Sequence, residues 1–134
     1  MGAALASGFD VSGPPYVGPM IRNVVDKRAV EAAVVDARRA VAEFDGARGW
    51  LAAARQGPME PLGAEVWVFD EDLARVLLVK HRWRGWVPPG GKVEARETPR
   101  EGASRELLEE TGLRVELLPE PARLRFAPIT RSIR

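Results

Sequence analysis

From Lys27 onward, apolar residues recur every three to four positions: Val30, Val34, Ala37, Val41 and Phe44 fall on one face, the spacing of an amphipathic helix. Asp26 is placed to cap the start and Asp45-Gly46 to end the run, which predicts a helix over 27–44. A shorter helix containing Trp50, Leu51 and Ala54 is expected next, stopped by Gly57-Pro58. After a linker from Met59 to Gly63 the pattern changes. Glu65-Val66-Trp67-Val68-Phe69 and Arg75-Val76-Leu77-Leu78-Val79 are β-branched and aromatic runs, and Asp70-Glu71-Asp72 between them predicts a hairpin. From Trp86 to Glu94, two prolines and two glycines favour a tightly specified loop over a regular strand.

The next helix announces both of its ends. Thr98 suits the N-cap, Pro99 the first helical position and Glu101 the third, completing a capping box, and Gly112 supplies the stop. Leu113 to Leu118 reads as a further strand. The basic stretch Arg123 to Arg134 shows no alternation and receives no element. Residues 1–20, with Gly13-Pro14-Pro15 and Gly18-Pro19, suit a loop or an extended arm.

Bulk properties narrow the chemistry. The chain has 134 residues, 46% hydrophobic and 29% charged, which is globular composition for one domain or one domain with an extension. Twenty basic against nineteen acidic side chains leave a net charge of +1, so nothing in the overall charge calls for nucleic-acid or anionic-membrane binding. There is no cysteine and His81 is the single histidine, which excludes disulfides, thiol nucleophiles and the usual Cys/His zinc sites. No basic segment precedes an apolar run at the N-terminus, and no apolar run approaches the ~20 residues of a membrane span. A cytoplasmic protein is the default expectation.

The acidic residues of the helix beginning at Pro99 are patterned. Glu106 and Glu110 are four apart and Glu109 lies between them, so the three carboxylates share a face. A solvated acidic stripe is the plain reading of such a face. Against it, the Glu106/Glu110 like-charge pair costs roughly 0.2–0.5 kcal/mol, Glu109 and Glu110 sit at the negative end of the helix dipole, and Glu94 and Glu97 arrive from the adjoining loop. A cation relieves that repulsion. Carboxylate and carbonyl ligands without nitrogen or sulfur suit Mg²⁺, with Mn²⁺ as a substitute, and Mg²⁺ commonly shares its shell with phosphates. Arg105 stands four residues from both Glu101 and Glu109, placed to orient a carboxylate or to form a simple surface ion pair.

In order, the segment offers Gly91, Glu97, Arg105-Glu106-Leu107, Glu109-Glu110 and Gly112-Leu113, the spacing of a complete Nudix box. GGKVEARETPREGASRELLEETGL resembles the MutT-like branch of the Nudix hydrolases, and the likeness covers roughly residues 64–118. The resemblance implies an α/β (α+β) fold, a Nudix-type α/β/α sandwich with a mixed sheet, here divided into an N-terminal arm and helical extension over 1–58 and a Nudix domain over 59–134. It further implies Mg²⁺-dependent cleavage of a nucleoside diphosphate linked to a moiety X. On the same ground Glu109 and Glu110 are the principal metal ligands, Glu106 a ligand or the base that activates water, the Gly90 carbonyl a further ligand, Glu97 a supporting ligand or helix-orienting group, and Arg105 the orienter of the glutamates.

Two departures from the family pattern bear on this reading. Arg96 stands where the family often has Gly, so the loop turns differently, or Arg96 reaches a phosphate, or it is an exposed, tolerated residue. Only 21 residues follow Leu113, which leads us to expect that the C-terminal part of the fold is short or missing, as in a truncated or frame-altered form of a longer hydrolase.

Beside the box, Arg82, Arg84 and Trp86 are placed to steer phosphates and stack on a base, or else to pack, and Lys92 is a candidate phosphate contact or a solvated lysine. His81, Trp50 and Trp67 read as hairpin or packing residues. The expected partner is a nucleotide-type small molecule, with no nucleic acid and no membrane, and the helix over 27–44 offers a surface for a partner or a homodimer. Two other readings stand beside the hydrolase: a catalytically silent nucleotide-binding or regulatory module, and an inactive fragment.

Overall fold

The computed structural model describes residues 2–11, 27–44, 46–55 and 62–128. The helical repeat from Lys27 is realised as α1, Lys27–Arg39, whose Ala29, Val30, Ala33, Val34 and Ala37 are buried. Its predicted start at Asp26 and the predicted stop at Asp45 lie outside the described residues. The helix ends well before Phe44, because backbone groups elsewhere claim the chain. The Val41 amide donates to the Pro121 carbonyl at 3.0 Å and the Ala42 amide to that of Ala122 at 3.2 Å, turning residues Ala42–Phe44 into strand β2. Val41, predicted to face inward, is 79% exposed. Arg48 satisfies the abandoned helix end, donating from Nε to the Ala37 carbonyl (2.8 Å) and from Nη2 to the Ala40 carbonyl (2.9 Å). Arg48 lies in α2, Ala47–Ala54, the expected second helix; Gly57-Pro58 lies outside the described residues.

Strand β3, Gly63–Phe69, alternates as its sequence predicts, with Ala64, Val66 and Val68 buried and Glu65, Trp67 and Phe69 half-buried on the other face. The hairpin that follows it is shorter than expected. A single bridge joins Phe69 to Val76, and Asp70 organises the turn by accepting from the Ala74 and Arg75 amides and from Arg75 Nε. The chain then forms a separate two-stranded unit from β4, Val79–His81, and β5, Gly85–Val87. The predicted loop from Trp86 to Glu94 therefore holds the end of one strand and all of another, β6, Gly90–Lys92, which pairs antiparallel with β3. Pro88 and Pro89 occupy the break between them.

One expectation about the chain ends is corrected, and one gap is filled. Residues Gly2–Val11, expected as a loop or an extended arm, form the regular strand β1, and Arg123–Pro128, in the stretch left without an element, form strand β7. Gly13-Pro14-Pro15 and Gly18-Pro19 lie outside the described residues. The five-stranded sheet runs β2-β7-β1-β3-β6. The first half of β1 pairs antiparallel with β3 and the second half parallel with β7, which in turn pairs parallel with β2. The sheet is thus mixed, as the α/β reading requires. Leu113–Leu118 forms no strand; Leu113, Val115 and Leu117 instead pack against the core.

The acidic helix α3, Pro99–Thr111, lies against β3 and β6. Ala103 and Leu107 from α3 join the buried residues of α1, α2 and β3 in one continuous cluster, to which Val93 contributes just after β6. Among the described residues no helix is long and apolar enough to cross a membrane. The inward face of α1 is consumed by this core, and Val35 is its exposed large apolar residue, so an interface there would be narrow.

Leu107 is 1% exposed and anchors α3 beneath the acidic face. Leu107→Ala should destabilise the protein by about 2–5 kcal/mol in urea unfolding. A loss below about 1 kcal/mol would mean that α3 is not seated on the sheet as described.

Candidate active site

The site is built where β6 delivers the chain to α3. Thr98 caps α3 as its sequence predicts: its side chain accepts from the Glu101 amide, the Glu101 carboxylate accepts from the Thr98 amide at 2.7 Å, Pro99 opens the helix, and Gly112 closes it at φ 74°. The cap sets the helix phase, and the phase places Glu106, Glu109 and Glu110 on the side that faces β6. Between cap and strand, Glu94 to Glu97 make a turn closed by the Glu97 amide on the Glu94 carbonyl at 3.2 Å. Arg96 has φ 70° there. A left-handed residue at the third position of such a turn is normally Gly. The backbone therefore turns as the family pattern would with Gly, and Arg96 bears the strain.

Arg105 is the centre of the arrangement. Its Nε donates to Glu97 Oε1 at 2.7 Å, Nη1 to Glu106 Oε1 at 2.8 Å and to Glu109 Oε2 at 3.3 Å, and Nη2 to Glu97 Oε2 at 3.1 Å and to the Lys92 carbonyl at 3.0 Å. One guanidinium thus ties the loop, the helix and β6 together, with the fork geometry that lysine lacks. The Arg105 guanidinium beside it holds the Glu97 carboxyl below its ordinary range, against the opposing effect of burial. Glu97, followed by Glu106, raises the Arg105 pKa further above an already high value, so it stays cationic at every working pH. The Glu101 partner expected for Arg105 is engaged elsewhere: Glu101 pairs with Arg28 on α1 at 2.9 Å.

The remaining glutamate is held from the strand. The Gly90 amide donates to Glu110 Oε2 at 3.0 Å. Both glycines stand in close approaches, Gly90 to the β3 backbone and Gly91 to the Glu106 carboxylate. A Cβ on Gly90 would lie 2.7 Å from Glu65 Cα, and one on Gly91 would fall on the Glu106 carboxylate, 2.8 Å from Oε2. Three carboxylates, at 97, 106 and 109, are thereby gathered around one guanidinium and a fourth, at 110, is held by the Gly90 amide, an oxygen-only set of the kind that suits a hard divalent cation. In this arrangement, with the guanidinium in their midst, no three acidic side chains close on a common point among the described residues.

The predicted substrate residues are divided. Lys92 is exposed on β6 beside the carboxylates. Arg82, Arg84 and Trp86 lie on the β4–β5 hairpin, where Arg82 stacks on Trp83 at 4.5 Å, Arg84 reaches Glu65 at 3.8 Å, and Trp86 is 65% exposed. Glu65 is the backbone partner of Gly90, so that contact joins the hairpin to the loop of the site. His81 is a hairpin residue as expected, its Nδ1 accepting from the Trp83 and Arg84 amides at 3.2 Å. Arg28, Asp36 and Arg100 went unnoticed in the sequence. Arg100 pairs with the buried Asp36 of α1 at 3.3 Å and donates to the Leu118 and Pro119 carbonyls. No periodicity marks such long-range contacts.

A strand-turn-helix that gathers glutamates around an arginine defines an α+β protein with an acidic loop-helix site. The NUDIX domain family model matches residues 59–131, more than half of the chain, and the chain belongs to that family. It is 44% identical over 61 residues to a Bacillus subtilis (strain 168) protein described as putative 8-oxo-dGTP diphosphatase YtkD, covering 46% of this chain and 39% of that protein. A MutT-like protein of Streptomyces ambofaciens is 40% identical over 65 residues, 48% of this chain and 42% of that one. An octanoyltransferase of Myxococcus xanthus is 53% identical over 57 residues, 40% of this chain but 16% of that protein. The chain therefore spans less than half the length of each of these relatives. No solved structure gives a significant match.

Two outcomes follow from this geometry. The Thr98 backbone N–H, then its side chain, hold the Glu101 carboxyl below its usual range. Its contribution to stability is present above the unfolded value, about 4.3, and is lost as pH falls through the folded value. The stability gap between the wild type and Glu101→Ala in urea should accordingly be wide at neutral pH and narrow on acidification; a gap that widens would contradict the capping box. Gly91→Ala should leave the fold intact by circular dichroism while displacing Glu106, seen as shifted resonances of the Glu106 side-chain carboxyl and of the Arg105 guanidinium that donates to it. Unmoved resonances would refute the close approach.

Proposed function

We propose that the chain is a pyrophosphohydrolase that cleaves a nucleoside diphosphate linked to a moiety X, with Mg²⁺, or Mn²⁺ in its place, as the metal. The single observation that carries this reading is the Arg105-centred glutamate cluster on a complete family box. Similarity to a protein described as a putative 8-oxo-dGTP diphosphatase supports a modified purine nucleoside triphosphate as the first substrate class, with nucleotide sugars and dinucleotides behind it. The oxygen donors fit a hard cation: Glu109 and Glu110 are the principal ligands in this proposal, Glu106 a third ligand or the base, with Glu97 and the Gly90 carbonyl in support.

When bound, the metal neutralises phosphate charge and supplies a nucleophilic water near neutral pH. Glu106, anchored at one oxygen by Arg105, keeps its other oxygen to take the proton of the attacking water. Arg105 holds the loop and helix in one geometry so that no reorganisation accompanies charge development. Lys92, Arg82 and Arg84 attract the phosphates, and the exposed Trp86 provides a face on which a base stacks. Cytoplasmic residence, among the nucleotide pool, belongs to the same reading.

A second reading, a silent nucleotide-binding module, is favoured by one observation: the acidic side chains are satisfied by Arg105 and the Gly90 amide rather than converged on a common point. Turnover separates the two. Purified protein with Mg²⁺ and a panel of oxidised purine nucleoside triphosphates, nucleotide sugars and dinucleotides should release a nucleoside monophosphate product by chromatography. Glu109→Gln and Glu110→Gln should each lower kcat by about 100-fold or more while leaving urea stability nearly unchanged. Tight nucleotide binding without product would establish the silent module instead.

A further inference from the structure

The loop of the site is gripped from outside the family-matched segment. Arg28, in the first turn of α1, donates from Nη1 to the Arg96 carbonyl at 3.0 Å and from Nη2 to Glu101 Oε1 at 2.9 Å. The two targets are the left-handed residue of the Glu94–Glu97 turn and the glutamate of the α3 capping box. One guanidinium therefore spans the two ends of the segment that carries Glu97. A few residues along, the buried Asp36 holds Arg100 of α3 at 3.3 Å, fixing α1 and α3 side by side so that Arg28 is delivered to the loop.

We propose that Arg28 is a positioning residue for the site: by holding the Arg96 carbonyl it keeps the turn in its strained left-handed form, and so keeps Glu97 directed at Arg105. The Glu94 amide, bonded to Glu97 Oε2 at 2.9 Å, and the Glu97–Arg105 pair at 2.7 Å both depend on that turn. Arginine is disfavoured at a positive φ, and the usual remedy, glycine, is absent here. Arg28 supplies by a contact distant in sequence what glycine would supply locally. The Arg28–Glu101 pair is exposed, with side-chain accessibilities of 62% and 51%. Such pairs add little to global stability, so the consequence of losing it is local order at the turn. The catalytic part of this inference rests on the pyrophosphohydrolase reading; the ordering of the turn does not.

Amide hydrogen exchange followed by NMR on the full chain tests the ordering directly. In Arg28→Ala the amides of Glu94, Glu97 and Thr98 should exchange about fivefold faster or more, while those of Val66 in β3 and of Leu77, which donates to the Val68 carbonyl, hold their wild-type rates and report that the fold is intact. Adding Arg96→Gly should return the turn amides most of the way to the rates of Arg96→Gly alone, because glycine needs no clamp at that φ. Arg28→Lys, which cannot span both acceptors with one planar fork, should behave like Arg28→Ala. With a substrate in hand, kcat should fall about fivefold in Arg28→Ala with KM within twofold and recover with Arg96→Gly. Unchanged exchange at the turn in Arg28→Ala, or an acceleration that Arg96→Gly does not reverse, overturns the proposal. Exchange that behaves as expected in a protein that turns over no substrate upholds the clamp and rejects the pyrophosphohydrolase reading.

Discussion

The contact on which the arrangement depends is the one Arg105 makes with Glu97, Glu106, Glu109 and the Lys92 carbonyl. Glutamates stacked on one helix face repel each other, and the Gly90-Gly91 backbone brings β6 close enough to deny them retreat into solvent on that side. Without a cation between them the carboxylates would splay. The guanidinium resolves the conflict within the chain, and it does so while leaving more negative than positive charge in the patch. In the proposed function, that surplus is what would receive a divalent ion and the phosphates that accompany one.

Everything around the cluster fixes its geometry. The capping box sets where α3 begins and hence which residues face the strand. Leu107 and Ala103, buried beneath the acidic face, hold the helix down on Val66 and Val93. The two α1 contacts, Arg28 with the loop and Asp36 with Arg100, bind the extension to the domain across some sixty or more residues of sequence. The residues of α1 and α2 thereby share one core with the family-matched segment, and β1 lies in the middle of the same sheet.

The parts of this organisation that could be read from sequence are those whose cause is local. Thr98, Pro99, Glu101 and Gly112 determine α3 by side-chain-to-backbone chemistry within a few residues, and the alternation in β3 reports its two faces directly. The placement of Glu106, Glu109 and Glu110 on one helix was legible from their spacing as well. What escaped depends on distant partners. Gly2–Val11 is rich in small residues with little intrinsic strand preference, and it is a strand because β3 and β7 offer their edges. Val41 and Phe44 continue a helical period, yet the Pro121 and Ala122 carbonyls draw the chain into β2. The spacing offered Glu101 or Glu109 as the partner of Arg105, and Glu109 is one, but the main partner, Glu97, lies eight residues back across a loop whose turn had to be known first.

The central claim is that this acidic face takes up a hard divalent ion together with linked phosphates. Isothermal titration of Mn²⁺ into the folded full-length chain, in the presence of a non-hydrolysable nucleoside triphosphate analogue, measures it most directly. The account predicts saturable uptake that disappears when Glu109 and Glu110 are both replaced by Gln. Absence of uptake by the wild-type chain, or uptake unchanged by the double replacement, would contradict it.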